Sequence, residues 1–246
     1  MQYENQVAVV AACGSNAGIA CAVSHLKQGA KAALYYDKPE RLELLKELNE
    51  EEKNRLLTIR IQNFQDDAEL KMAADTVKEK FGTCDIVVTA ITTQPKEAGF
   101  AMSEQEYSRV MRTITNGALY TIQPLMPMMK EKKYGRIVLI SSVAGRKAIL
   151  GVAPVFAAAN AALGGMARNI GCTMGTSFIT GNLVAVGPLE DGSYKTGAAQ
   201  EPQGILPGRA LGKLQDVAGA VEYFTAPLAS WTTGETLDLN GGYMMV

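Results

Sequence analysis

A turn containing two glycines is the first stretch of this chain whose residue types could do chemistry. It occupies residues 13–20, CGSNAGIA, between an apolar run that predicts a buried strand and a stretch that predicts a helix. Strand, glycine turn and helix form the context that a dinucleotide-binding turn requires, because a helix N-terminus attracts a pyrophosphate. Gly14 would permit the tight turn, and Gly18 would let the backbone approach the pyrophosphate. The alternative is a turn that only packs the helix against the strand.

An aspartate at the end of the next predicted strand, residues 29–37, could select between dinucleotides. A carboxylate at this place accepts hydrogen bonds from the 2′-hydroxyl of an adenosine ribose and repels a 2′-phosphate. Asp37 therefore favours NAD over NADP, if a nucleotide binds at all. A solvated loop aspartate is the alternative interpretation.

The cysteines and the histidine argue against other chemistries. The single histidine, His25, falls in a helical pattern, which predicts a packing or surface role and disfavours Ser-His-Asp catalysis and a zinc site. No metal ligands are predicted. The four cysteines lack the spacing of a metal site or a disulfide framework, and we expect free buried thiols in a reducing cytoplasm: Cys13, Cys21, Cys84 and Cys172.

Length and composition predict one globular domain spanning residues 1–246. The net charge of −1 gives no reason to expect nucleic acid or an anionic membrane as a partner. No apolar run reaches the roughly 20 residues that cross a bilayer, and the start of the chain carries Glu4 without the basic residues of a signal peptide. We therefore expect a cytoplasmic protein.

Strand and helix patterns alternate along the chain, which predicts an α/β fold: a Rossmann-type, doubly wound parallel sheet flanked by helices. Single helices are predicted at residues 39–55 and 102–133. Residues from about 188 to 210 are rich in glycine, proline and polar side chains, which predicts a loop that would cover a substrate as a lid.

Residues 141–160, SSVAGRKAILGVAPVFAAAN, resemble the active-site segment of the short-chain dehydrogenase/reductase family, in its ketoacyl-reductase-like form. In that family a serine orients the substrate oxygen, a tyrosine transfers the proton, and a lysine four residues later lowers the tyrosine pKa and holds the cofactor ribose. The serine position is Ser142, but the other two read Phe156 and Asn160, and no Tyr-x-x-x-Lys occurs elsewhere. Phenylalanine has no proton to transfer, so the resemblance implies an oxidoreductase fold with an inactive site.

The resemblance covers nearly the whole chain and implies a set of cofactor positions. Relatives end the fourth strand with Asn-Asn-Ala-Gly, but this chain keeps only Ala90 and places the β-branched Ile91 where glycine lets the backbone approach the cofactor. An aspartate that bonds adenine in relatives reads Asn63 here. The full set of positions that would contact a dinucleotide is Gly14, Gly18, Ile19, Asp37, Asn63, Ala90 and Gly187.

Two further positions gain a meaning from the resemblance. Relatives hold an asparagine at the position of Asn116, which bends its helix and completes a proton relay through the lysine. Without that lysine the proton relay has no purpose, so we expect Asn116 only to bend its helix. The helix predicted over residues 154–174 is rich in small side chains, and in relatives the equivalent helix packs against its twin in another subunit. The resemblance therefore implies an oligomer.

Three functions are compatible with these residues. The selective loss of tyrosine and lysine resembles the inactive subunit of hetero-tetrameric hydroxyacyl-CoA dehydrogenases. It predicts a non-catalytic subunit that stabilises a homologous, active NAD-dependent subunit, with NAD bound in the complex. The second function is that of an NAD-dependent carbonyl or alcohol oxidoreductase with an unorthodox proton donor, for which Tyr194 is the candidate. The third is a non-redox use of a more apolar cleft, as a ligand sensor or a lyase.

Overall fold

Seven parallel strands form one sheet at the centre of the computed structural model, which describes residues 2–97, 99–194 and 211–243. The strands are β1 (Val7–Cys13), β2 (Lys31–Tyr36), β3 (Leu56–Arg60), β4 (Ile86–Ile91), β5 (Gly135–Ser142), β6 (Ile179–Val186) and β7 (Thr236–Leu239). Their order across the sheet is β3-β2-β1-β4-β5-β6-β7, and every pair is parallel. The chain reverses its direction of winding between β1 and β4, which confirms the doubly wound fold.

Helices cover both faces of this sheet. Within the described residues they are α1 (Ala17–Lys27), α2 (Glu50–Asn54), α3 (Asp67–Phe81), α4 (Glu104–Met111), α5 (Gly117–Ile122), α6 (Met126–Lys132), α7 (Pro154–Thr173) and α8 (Leu214–Thr225). One apolar cluster lies between the sheet and α3, α5 and α7, and a second lies between the sheet and α1 and α8. Because the central strands are buried on both faces, they are mostly apolar along their length and do not alternate between apolar and polar residues.

Residues 39–55 do not form the single helix predicted from their sequence. They form a 3₁₀ helix, Pro39–Glu47, followed by the separate short helix α2. Asn49 begins α2 with a capping box, in which its side chain accepts the Glu52 N–H and the Glu52 carboxylate accepts the Asn49 N–H. This reciprocal pair satisfies the first N–H groups of a new helix, so the chain starts again instead of continuing.

Residues 102–133 are also divided rather than continuous. Helix α4 leads into a π-helical turn, Arg112–Asn116, and α5 and α6 follow. A π-turn inserts an extra residue into the helix and displaces its axis, so the bend expected at Asn116 lies where this turn ends. Pro124 separates α5 from α6, because proline lacks the N–H that a continuing helix needs.

The remaining features concern cysteines, membranes and the predicted lid. All four cysteines are free thiols, but Cys172 is exposed and Cys13 only partly buried, so the prediction that all are buried is wrong. Across the described ranges, no helix is long and apolar enough to cross a bilayer, and no cluster of His, Cys, Asp or Glu could hold a metal ion. Of the predicted lid, residues 195–210 lie outside the described residues.

Candidate functional site

The side chain of Asn160 joins helix α7 to the C-terminal end of strand β5. Its Oδ1 accepts the Ser142 N–H at 2.8 Å and the Ser141 hydroxyl at 3.3 Å. Its Nδ2 donates to the Phe156 carbonyl at 2.8 Å. The residue is 2% exposed, so these bonds satisfy the amide away from water. A lysine here could not accept from Ser142, because an ammonium group only donates.

Phe156 lies in the core instead of facing an open cleft. It is 1% exposed and belongs to the same apolar cluster as Ile91. Helix α7 lies very close to the short 3₁₀ turn Val143–Gly145, since a Cβ on Gly145 would lie 2.6 Å from the Ala161 nitrogen. A phenyl ring suits this tight apolar packing because it carries no polar atom that would need a partner.

The other two positions of the degenerate site serve local structure. The Ser142 hydroxyl is fully buried and accepts the Ala144 N–H at 3.2 Å, which caps the 3₁₀ turn. The Asn116 amide lies near the Tyr120 hydroxyl, with 3.3 Å between Nδ2 and Oη. The structure thus brings Ser142 and Asn160 into contact, whereas within the described residues Asn116 has no hydrogen bond to either.

In the glycine turn, two oxygen atoms of the protein lie close to Gly14, one from the Asp37 carboxylate and one from the Thr92 carbonyl. Gly14 has a φ of +72°, in the left-handed region that glycine tolerates. Its N–H faces the Asp37 carboxylate at 3.3 Å. A Cβ on Gly14 would lie 1.9 Å from the carbonyl oxygen of Thr92, the residue that follows β4. The alternative interpretation of this turn, as a packing element, therefore has direct structural support.

Gly18 allows helix α1 to pack closely against two strands. A Cβ at this position would lie 2.8 Å from the Cβ atoms of both Ala12 and Ala90. Such distances are shorter than carbon atoms tolerate, so only glycine fits without displacing the helix. Ile19, the next residue of the same helix, is fully buried. Gly18, Ile19 and Ala90 from the predicted cofactor set are thus brought together as a helix–sheet contact.

Asp37 has a basic partner that sequence reasoning missed. The Arg41 Nε donates to its carboxylate at 2.9 Å, and the Arg41 Nη1 donates to the Asn16 side chain at 3.2 Å. A carboxylate that is already neutralised repels a 2′-phosphate less, so the preference for NAD over NADP loses its physical basis. The i, i+4 spacing of the two residues was the signal that could have revealed the pair.

Tyr194 lies beside the glycine turn, buried to 1% exposure, with a backbone φ of 55°. Burial raises the pKa of its phenol above the ordinary value. The phenol oxygen has no hydrogen-bond partner among the residues that are described. The Ser15 oxygen instead accepts the Ala17 N–H at the start of α1, at 3.0 Å.

The last two predicted cofactor positions make contacts within their own segments. Asn63 is exposed, and its side-chain oxygen accepts the Gln65 N–H at 3.0 Å in the approach to α3. Gly187 extends the pairing of β6 with β7, because its N–H donates to the Leu239 carbonyl at 2.9 Å. A Cβ on Gly187 would lie 3.1 Å from Asn240. The structure does not bring Asn63 into contact with the glycine turn.

Comparison with known proteins places this geometry in a family. A family model described as enoyl-(acyl carrier protein) reductase matches residues 11–244. The chain belongs to the short-chain dehydrogenase/reductase family. Two similar members are 3-oxoacyl-[acyl-carrier-protein] reductases FabG. That of Salmonella typhimurium is 31% identical over 187 residues, which cover 75% of this chain and 76% of the relative. That of Escherichia coli is 28% identical over the full length of both chains.

Solved structures support the family fold. A mutant form of a short-chain dehydrogenase/reductase from Serratia marcescens has a TM-score of 0.85 at 25% identity, and the match covers 99% of both chains. A blue fluorescent protein from a metagenomic library, solved in complex with NADPH, has a TM-score of 0.86 at 24% identity, with full coverage of both chains. The described residues of this chain therefore have the fold of the short-chain dehydrogenase/reductase family.

Proposed function

We propose that this protein is a non-catalytic short-chain dehydrogenase/reductase subunit that pairs with and stabilises an active, NAD-dependent alcohol or hydroxyacyl dehydrogenase subunit. The observation that carries the proposal is the side chain of Asn160, whose amide is bonded to Ser142 and to the Phe156 carbonyl. The position from which a catalytic lysine acts thus holds β5 and α7 together. Proton transfer by a positioned group contributes roughly 10²–10⁴ to a rate, and neither Phe156 nor Asn160 can supply it.

Two N–H groups of the glycine turn are already bonded within the protein, which argues against a bound dinucleotide in this arrangement. A pyrophosphate needs free N–H groups and a positive helix end, whereas the Gly14 N–H already faces the Asp37 carboxylate and the Ala17 N–H is bonded to Ser15. The buried Tyr194 ring lies against the same turn. We infer that NAD is held by the partner subunit of the complex and that this chain does not need to bind it.

Pairing with a partner is supported by the surface around the last strand. Strand β7 is an edge of the sheet, and an uncovered edge with apolar neighbours favours association with another chain. Exposed apolar side chains lie on and near it, on helix α8 and in the connection to β7: Tyr223, Leu228 and Leu237. An active subunit of the same fold would present a similar edge, which suits a hetero-tetramer.

Native mass spectrometry of the chain isolated from its own host tests this proposal. We expect a mixed oligomer containing a second, Tyr-x-x-x-Lys-bearing chain, with NAD adducts numbering one for each partner subunit. The separately purified chain should show no NADH oxidation with 3-oxoacyl thioesters, while the complex does. A homo-oligomer with NAD in every subunit, or turnover by the pure chain at the rate of ordinary relatives, would contradict it.

The alternative in which Tyr194 acts as the proton donor is less favoured. Its pKa is raised by burial, which makes the phenol a poorer acid at neutral pH, and its neighbours are Ser15, Cys21 and Cys13 at the glycine turn. This alternative requires NADH oxidation by the pure chain that collapses in Tyr194→Phe. The same assay therefore distinguishes the two functions.

A further inference from the structure

A cavity lies at the N-terminal ends of strands β5 and β6, whereas Ser142 lies at the C-terminal end of β5. It has a volume of about 630 Å³ and is lined at the N-terminal ends of β5 and β6 by Arg136 and Thr180. The loop before β7 contributes Trp231, and the residue before β6 contributes Phe178. A volume of this order matches a small-molecule site, which spans about 300–1,000 Å³ in proteins. The short-chain dehydrogenase chemistry takes place at the other ends of the strands and does not use this cavity.

Arg136 is a buried cation without a carboxylate partner. It is 3% exposed, and its Nε has no hydrogen-bond partner within the described part of the chain, although its Nη1 donates to the carbonyls of Gly135 and Phe178. No ion pair involves it among the residues that the structure covers. The nearby Asp85 carboxylate is bonded instead to Lys132 and to the Val7 N–H. The guanidinium lies 4.4 Å from the centre of the Tyr134 ring, a cation–π contact that offsets part of the cost of its burial. Because no carboxylate neutralises the remaining charge among the described residues, this cavity favours an anion.

Thr180 provides a second polar group at the same place. It is 6% exposed, and its Oγ1 also lacks a hydrogen-bond partner in the structure. Arg136 and Thr180 are direct register partners across β5 and β6, so their side chains project from the same face of the sheet. A guanidinium with one donor unused and a neighbouring hydroxyl could together bind the oxygens of one carboxylate.

The rest of the lining is basic and aromatic. Lys133 is the other charged residue of the cavity, and no Asp or Glu is among the lining residues that the structure describes. Trp231 is 99% exposed and Phe178 is 67% exposed, so two large rings border the opening without cover. Phe178 and Lys133 both have positive φ values, 56° and 53°, which are unusual for such side chains. The rings provide a surface for a flat apolar body attached to the anion.

We propose that this cavity binds an organic carboxylate with a flat, apolar body, its carboxylate on Arg136 and Thr180 and its body against Phe178 and Trp231. The site is independent of the inactive dehydrogenase centre. Benzoate is the probe, because it combines a carboxylate with a ring of suitable size. Benzamide has the same shape without the charge, and inorganic phosphate has charge without the ring.

The binding experiment uses the full chain, purified separately from any partner subunit. Trp231 is the chain's only tryptophan and lines the cavity, so its fluorescence reports occupancy directly. We expect a saturable fluorescence change with benzoate and at least about tenfold weaker binding of benzamide, the loss of one charge-assisted contact. Phosphate should bind more weakly than benzoate. Equal affinity for benzoate and benzamide, equal or tighter binding of phosphate, or no saturable response to benzoate would overturn the proposal.

Variants then test the two anchoring residues. Arg136→Gln should weaken benzoate binding by about tenfold or more, and the near-isosteric Thr180→Val by about threefold to tenfold. Lys80→Gln, on helix α3, is the matched control and should bind benzoate as the unaltered chain does. If Arg136→Gln fails to fold, Thr180→Val and the comparison of ligands decide the question. Unchanged benzoate affinity in Thr180→Val would refute the assigned geometry.

Discussion

Replacing Asn160 by alanine is the most direct test of the view that this position now serves the fold. Strand β5 runs beyond its pairing with β4, whose register with it ends at Leu139. The Ser142 N–H therefore finds its acceptor in the Asn160 side chain, at 2.8 Å. In Asn160→Ala this buried N–H loses its only recorded acceptor. The Ser141 hydroxyl keeps the backbone carbonyl of residue 160, at 3.0 Å.

The magnitude follows from the bonds that are lost. An unsatisfied buried donor costs about 1–3 kcal/mol, and the missing amide leaves a small cavity that adds to it, so we expect a loss of about 2–3 kcal/mol. For a chain of this length each kcal/mol corresponds to about 2–4 °C in the melting temperature, which predicts a fall of about 4–12 °C. Asn160→Lys should lose more, because it removes the acceptor and also buries an unpaired charge.

Urea unfolding, followed by circular dichroism at one fixed protein concentration, measures these differences. Asn54→Ala is the control, because Asn54 is exposed at the end of α2 and its loss should change stability by less than about 0.5 kcal/mol. If Asn160→Ala were as stable as this control, the amide would not be holding β5 and α7 together. If Asn160→Lys were as stable as the unaltered chain, the position would still have room for a catalytic lysine, and the reasoning would fail.

Three further predictions concern the fold and the glycine turn. Gly18→Ala should lower the free energy of unfolding by about 1–3 kcal/mol in urea, because its Cβ would overlap those of Ala12 and Ala90. His25 is fully buried, and burial lowers its pKa. Its contribution to stability is therefore complete above about pH 6.5 and is lost as the pH falls below that value. The free energy of unfolding should fall by up to about 1.4 kcal/mol for each pH unit. Unfolding midpoints between about pH 7.5 and 5.5 should show this loss in the unaltered chain and not in His25→Gln. Tyr194→Ala should bind NADH more tightly than the unaltered chain by fluorescence titration, since it clears the space beside the turn; unchanged binding would show that the ring does not obstruct the site.

The fold was predictable because its determinants are local and repeat along the chain. Apolar runs alternate with amphipathic stretches, and each glycine of the first turn has a geometric role that the sequence position reveals. The predictions of two continuous helices were wrong because local signals within them were given too little weight. At residues 39–55 the capping pair Asn49 and Glu52 was present in the sequence, but the leucine spacing around it suggested continuity. Local signals that stop a helix outweighed the periodicity that extends it.

For the candidate site, the sequence reveals that Phe156 and Asn160 are four positions apart in one helical segment, and that they replace the family's tyrosine and lysine stays a prediction. The contacts that these side chains make could not be predicted, because they depend on segments that are distant in the sequence. The bond from Ser142 to Asn160 joins residues 18 positions apart, and the ion pair of Arg41 with Asp37 changes the charge that a nucleotide would meet. The place of Tyr194 depends on the path of a long connection, which no local pattern specifies.

The distribution of changes argues that the fold and the chemistry of this family are separable. Gly18 lies where the Cβ atoms of Ala12 and Ala90 leave no room for another side chain, so helix–sheet packing alone is enough to require glycine there. Asn160 shows the converse, because the place of a charged group is taken by an amide that both accepts and donates within the protein. Reversing one substitution would restore a functional group but break a structural contact. For this reason we expect Asn160→Lys to cost stability rather than to restore a working site.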